Sequence, residues 1–140
     1  MSARIALYGF AEARAAFDGA PRLIEAELTE SGTALLDRAV QTLTTYPAER
    51  ERQTYVRTGN LKDGWLQPGP VWQVGQTGIS FSLTNTVPYA QWVEGDQQAW
   101  MHAGRWPLVA DAEAQLRADA EIEFGHALDR AAARINETTR

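Results

Sequence analysis

Two long runs of apolar residues at three- and four-residue spacing constrain this chain more than any other feature. The first, from Pro21 to about Thr44, places Leu23/Ile24, Leu28, Ser31, Leu35, Ala39 and Leu43 on one stripe. Pro21 suits the first helical position, where an N–H is not needed, and Tyr46-Pro47 stops the run. The second opens after Pro107 and carries Val109, Ala112, Leu116, Ala120, Phe124, Ala127/Leu128, Ala131 and Ile135. It persists for about seven turns, roughly 45 Å, with Asp111 and Glu113 near its positive N-terminal end. The spacing therefore predicts two long amphipathic helices. A glycine interrupts each. Gly32 costs roughly 1 kcal/mol against alanine unless something packs closely there, and Gly125 marks a second candidate for close packing.

Between the stripes, the window Tyr55–Trp106 holds all five tryptophans. Val71-Trp72-Gln73-Val74 and Ile79-Ser80-Phe81-Ser82-Leu83-Thr84 read as strands, the second alternating strictly, and Gly75-Gln76-Thr77-Gly78 joins them as a hairpin. Thr58 reads as a helix N-cap, followed by a short turn with Leu61 and Trp65 on one face and Pro68-Gly69-Pro70 as its stop. Pro88 opens another short helix in which Tyr89, Trp92 and Val93 share a face and Gly95 is the C-cap. Residues 4–8 fit a short strand or helix, and Phe10–Phe17 fits one or two helical turns. Residues 48–54 have no periodicity and suit a solvated loop or an arm that orders on a neighbouring subunit.

The expected architecture is α+β: two long amphipathic helices packed on a small antiparallel sheet, with short helical turns between. One domain of 140 residues accommodates it. Its order is a short strand and helical lead at 1–20, a long helix at 21–45, and a loop at 46–57. A turn, hairpin and short helix follow at 58–95, then an aromatic loop at 96–106 and a long helix at 107–137.

Composition narrows the function classes. No apolar run approaches the ~20 residues that span a bilayer and no basic-then-apolar leader opens the chain, so no membrane partner is expected. The absence of cysteine excludes disulfides and thiolate metal sites. A net charge of -5 with a single lysine, Lys62, argues against a dedicated nucleic-acid binder. It suits a surface that DNA passes without being gripped.

Catalytic chemistry finds little support. His102 and His126 have no histidine partner at metal-ligand spacing. Glu94 or Asp96 with His102 can be drawn as an acid–base pair, yet a lone histidine among tryptophans and glycines fits packing or an interface better. Neither a phosphate-cradling glycine pattern nor a G-x-S-x-G elbow is present. No enzyme activity, cofactor or metal is expected. Arg57 fits a surface pair with an acid such as Asp63, or an interface contact. Trp65, Trp72 and Trp92 fit the core. Trp100, Met101, His102, Arg105 and Trp106 sit around a glycine-bounded loop, where a subunit interface and simple packing are both open.

The order Arg57-Thr58-Gly59-Asn60-Leu61, a hairpin, Asn85, then Pro88-Tyr89-Ala90 and Val93-Glu94-Gly95 resembles the neck or tail-completion family of long-tailed bacteriophages and prophages. That family runs helix, Thr-Gly-x-Leu turn, sheet, Tyr-Ala-x-x-Val-Glu turn ending in glycine, and closing helix, an order that covers nearly the whole chain. Two features depart from its pattern: the turn Lys62-Asp63-Gly64-Trp65 and the tryptophan-rich loop Gln97–Trp106. The resemblance implies a non-catalytic head–tail joining protein in the virion, assembled in the host cytoplasm. It implies a homo-oligomeric ring, hexameric or dodecameric, between head-closure or adaptor proteins and tail-terminator or tail-tube proteins. Thr58, Gly59, Leu61, Pro88, Tyr89, Ala90, Val93, Glu94 and Gly95 then serve the architecture of its two turns. A different expectation, from the composition alone, is a small cytoplasmic protein-binding module.

Overall fold

The computed structural model describes residues 3–7, 21–67, 69, 71–75 and 78–138. Its elements are β1 (Ala3–Leu7), α1 (Pro21–Thr44), α2 (Asn60–Leu66), β2 (Val71–Gly75), β3 (Gly78–Asn85), α3 (Ala90–Val93) and α4 (Val109–Thr138). The expected helical turns at Phe10–Phe17 lie outside the described residues, as does the tip of the hairpin.

The two stripes meet each other. Ile24, Leu28, Leu35, Leu36, Ala39, Val40 and Leu43 of α1 are buried against Val109, Ala112, Leu116, Ala120, Phe124, Ala127 and Ala131 of α4. Branched side chains on one helix face many alanines on the other, so the axes approach closely and the surfaces interdigitate. Polar pairs set the alignment. Glu27, 2% exposed, accepts from Arg130 Nε at 2.9 Å and has Arg134 at 2.9 Å from its other oxygen. Ser31, an apolar position by spacing, is buried and accepts from Arg130 at 3.0 Å. Arg38 pairs with Glu123 at 3.0 Å near the other end. Residue numbers rise along α1 as their partners' numbers fall along α4, so the helices run antiparallel.

The strands form a three-stranded antiparallel sheet in the order β1-β3-β2. Ile5 pairs with Leu83, and Trp72 with Phe81. Gly75 faces Gly78 across a two-residue connection.

The expectation of two long helices packed on a sheet is corrected. The molecule is mostly helical, and among the described residues Leu83 is the one strand residue in the core cluster. The reason is area. Strands of five to eight residues span about 17–27 Å, whereas helices of 24 and 30 residues span about 36 and 45 Å. Most of each stripe is covered by the other helix, and so small a sheet covers only a part.

Two local expectations are also corrected. Thr58 is not the N-cap of α2. Gly59 holds that position in the left-handed region, φ 81°, with no side-chain cap, and Thr58 Oγ1 accepts only a long 3.4 Å bond from Asn60 N. Glycine takes positive φ without a Cβ clash, so it holds a position where threonine would be strained. Gly125 does not mark close packing, because a Cβ there would meet nothing within 4 Å.

Gly125 is therefore an exposed mid-helix glycine whose only effect is backbone entropy. Gly125→Ala is expected to raise stability by about 0.5–1 kcal/mol in urea unfolding. A loss of stability would show that this stretch of α4 is covered.

Candidate functional site

A buried carboxyl joins the segments that surround the site. Trp65, on the inner face of α2, is 0% exposed and donates from Nε1 to Glu94 Oε2 at 2.6 Å. Glu94 directly follows α3 and is itself 0% exposed. Its backbone carbonyl accepts from Val109 N at 2.7 Å, at the first residue of α4. One residue thus ties α2 through its side chain and α4 through its main chain. Asn85 makes a second tie. Fully buried, it donates to the Leu61 carbonyl at 2.8 Å and accepts from Val87 N at 3.0 Å, linking the end of β3 to α2. Gly64 is needed for this approach, since a Cβ there would collide with the Asn85 side chain and with Val87.

Burial pushes the Glu94 carboxyl up to about 8, against the donors Trp65 and Tyr46 that favour its charged form. The same burial, together with the Glu94 charge, pushes the Tyr46 phenol far above its usual range, while Arg57 pulls the other way. Glu94 Oε1 and the Tyr46 hydroxyl are both buried and neither completes a well-formed hydrogen bond. At neutral pH a carboxyl with this affinity for its proton is mostly neutral. Protonated, the carboxyl adds an O–H donor to the phenol's own, so either oxygen can donate to the other.

The aromatic loop is built of bonded turns. Ala99 N donates to Trp92 O at 2.8 Å and Trp106 N to His102 O at 3.0 Å. The Gln98 side chain reaches Val93 O at 2.8 Å and Trp106 O at 3.4 Å. These bonds fix Trp106, whose ring meets Tyr46 at 4.7 Å and the edge of His102 at 5.6 Å. The Arg57 guanidinium lies 4.8 Å over the same ring. Arg105 reaches back to the Ala48 carbonyl at 3.4 Å.

Between this loop and residues 46–62 opens a cleft of about 830 Å³. Tyr46, Tyr55, Tyr89 and Trp106 supply aromatic walls, and Arg50, Arg52, Arg57, Lys62 and Arg105 supply positive charge, with Glu51 the one acid on the lining. Arg52 holds a left-handed backbone, φ 62°, in the strand-less stretch that forms one side. Arg38, Arg117, Arg130 and Arg134 of the long helices pair with acids, but none of the five cleft cations makes an ion pair among the described residues. His102 is held below its ordinary value by burial and then by Arg105 and Arg50.

Of the residues that the sequence proposed for an interface, Arg57, Met101, His102, Arg105 and Trp106 line this single cleft. Trp100 does not, and stands 86% exposed. Of the motif residues, Thr58, Gly59, Leu61, Tyr89 and Val93 lie on the lining. Ala90 and Glu94 are buried, Gly95 N bonds Ala90 O at 3.1 Å, and Pro88 lies in the exposed turn before α3. Arg57 stacks on Trp106, and no pair with Asp63 forms. Trp92, expected in the core, is 48% exposed. Ala90 and Glu94, four residues apart, share the inward side, which turns Trp92 outward. The side chain of Trp72 lies outside the described residues. Glu94 is engaged by Trp65 and Tyr46, whereas the charges acting on His102 are Arg105 and Arg50. Spacing gave no hint of Tyr46 or Arg50 as site residues, because one read as a helix stop and the other as a loop charge.

Among the described residues no three His, Asp or Glu side chains are grouped to hold a metal ion, and no helix is long and apolar enough to cross a membrane.

The buried carboxyl makes stability depend on pH. Its folded value, about 8, lies above the ordinary value of 4.5, so the folded state holds the extra proton between these limits. Stability from this group is complete below pH ~4.5, falls as pH rises through ~8, and is then flat, a change on the order of 3–5 kcal/mol. In denaturant titrations across pH 4–9, Glu94→Gln is expected to remove most of this slope and to gain on the parent chain at pH 9. Equal slopes in the two proteins would contradict the assignment.

Comparison of the chain with family models, with curated proteins and with solved structures finds no match in any of the three.

Proposed function

We propose that this chain is a structural protein of the phage neck, a tail-completion ring that joins the tail tube to the head and lines the DNA passage. The observation that carries the reading is where apolar surface is left open. Tyr55 (62% exposed), Val56 (78%), Trp100 (86%) and Met101 (50%) lie on the two segments that flank the cleft, and Trp92 (48%) lies on α3 just before the loop. Large apolar side chains held outward by a bonded loop suit contact with other subunits. Of the motif residues, Leu61, Ala90, Glu94 and Gly95 are buried, Glu94 with its bond from Trp65, which suits an architectural role.

A closed ring needs two different complementary surfaces on each chain, since its contacts are heterologous. The aromatic loop is one candidate, and the polar face of the sheet, read from the alternation of β3, is the other. Six copies match the symmetry of the tail tube that the resemblance implies, with twelve as the alternative. Head-closure or adaptor proteins on one side and tail-terminator or tail-tube proteins on the other are the implied neighbours. The net charge of -5 suits a channel wall that DNA passes without sequence-specific contact. The site of action is then the head–tail interface of the virion, after assembly in the host cytoplasm.

The cleft favours a second reading, a small cytoplasmic protein-binding module without catalytic activity. Co-expression with a portal-side and a tail-side partner, followed by electron microscopy, separates the two. The ring reading expects a six- or twelve-fold ring and the protein in purified particles. Trp100→Asp, at an exposed position, is expected to change stability by no more than about 0.5 kcal/mol and to abolish ring formation. A chain that stays monomeric with these partners and is absent from particles contradicts the ring.

A further inference from the structure

We propose that the cleft between residues 46–62 and Trp106 is a binding site for an acidic, aromatic-bearing extended segment of a partner protein. The inference stands apart from the ring, because it rests on the cleft of a single chain.

Charge supplies the first argument. This protein is acidic overall, yet Arg50, Arg52, Arg57, Lys62 and Arg105 converge on one cleft and none is neutralised by an ion pair among the described residues. The other arginines that pair, Arg38, Arg117, Arg130 and Arg134, do so on the long helices. Like charges gathered without partners repel one another, and an anionic ligand relieves that repulsion.

Stacking supplies the second. Arg57 lies over the Trp106 ring at 4.8 Å, and its guanidinium makes no ion pair among the described residues, which leaves its N–H donors for a ligand. Those donors match the two oxygens of a carboxylate. Tyr55, 62% exposed, and the half-buried Tyr89 offer apolar surface to an aromatic side chain beside that carboxylate.

Shape supplies the third. A volume of about 830 Å³ lies within the usual range for ligand clefts. It suits a short extended segment, whose alternate side chains can reach the two walls. A nucleic acid is the less favoured occupant. The cationic patch is local, Glu51 lies on its lining, and the net charge of the protein is -5.

The test is fluorescence anisotropy on the purified, unassembled chain with three labelled probes. They are a short Asp/Glu-rich peptide containing one phenylalanine, its Asn/Gln counterpart, and a short oligothymidylate. The acidic peptide is expected to bind at least about tenfold tighter than the neutral one and to weaken with added salt. Arg50→Ala, an exposed change that leaves the Trp106 stack intact, and Arg57→Ala should each weaken it by about threefold to tenfold, with circular dichroism unchanged for Arg50→Ala. Equal binding of the neutral peptide, tighter binding of the oligothymidylate, or no binding of the acidic peptide overturns the proposal. Ring formation can fail while this binding holds, and the reverse, so the two proposals are separable.

Discussion

A 2.6 Å hydrogen bond from the Trp65 indole to a fully buried Glu94 governs the arrangement of everything around the cleft. A buried carboxyl without a hydrogen-bond partner is penalised, and so is an indole N–H without an acceptor. Each therefore constrains where the other can sit. Because Trp65 belongs to α2 and Glu94 follows α3, the pair fixes two turns separated by the whole hairpin. The main chain of Glu94 then holds the first residue of α4. The loop from Gly95 to Leu108 is thus anchored at its start and its end by the same residue. That is how Trp106 comes to face Tyr46 and Arg57.

The long helices play a different part. Their mutual burial, from Ile24 and Val109 to Leu43 and Ala131, supplies most of the apolar core among the described residues, and the Glu27–Arg130–Arg134 cluster aligns them. A buried ion pair adds little net stability against a well-packed apolar alternative, but leaving Glu27 alone would be strongly unfavourable. The cluster therefore acts on register. The helix pair is a scaffold, and the variable chemistry is carried on the short elements between its two halves.

Much of this scaffold was legible in the spacing. The stripes, the hairpin strands and the inward Trp65 follow from periods of 3.6 and 2 residues, which report which side of an element is apolar. Periodicity does not report what covers that side, and so helix-on-helix packing was misjudged as helices on a sheet. It is equally silent on single polar residues. Spacing puts Ser31 on the apolar stripe and gives Glu27 no role, because the partner of each lies about a hundred residues away. In the candidate site, the Arg57, Met101, His102, Arg105 and Trp106 set was visible as an unusual concentration of residue types in a glycine-bounded loop. Tyr46 and Arg50 were not, since they come to the cleft only through the tertiary path of residues 45–57. Trp92 misled for a related reason: a four-residue helix has too few turns for its sequence to say which side faces inward.

The account depends on Trp65 and Glu94 acting as one unit, which a double-mutant cycle measures directly. Trp65→Phe leaves the carboxyl without its donor, Glu94→Leu leaves the indole without its acceptor, and the double variant removes both. Unfolding free energies at neutral pH should show a coupling of about 1–3 kcal/mol, with the double variant less destabilised than the sum of the single ones. Effects that add to within about 0.3–0.5 kcal/mol would contradict it, and the two turns would then have to be held together by something else.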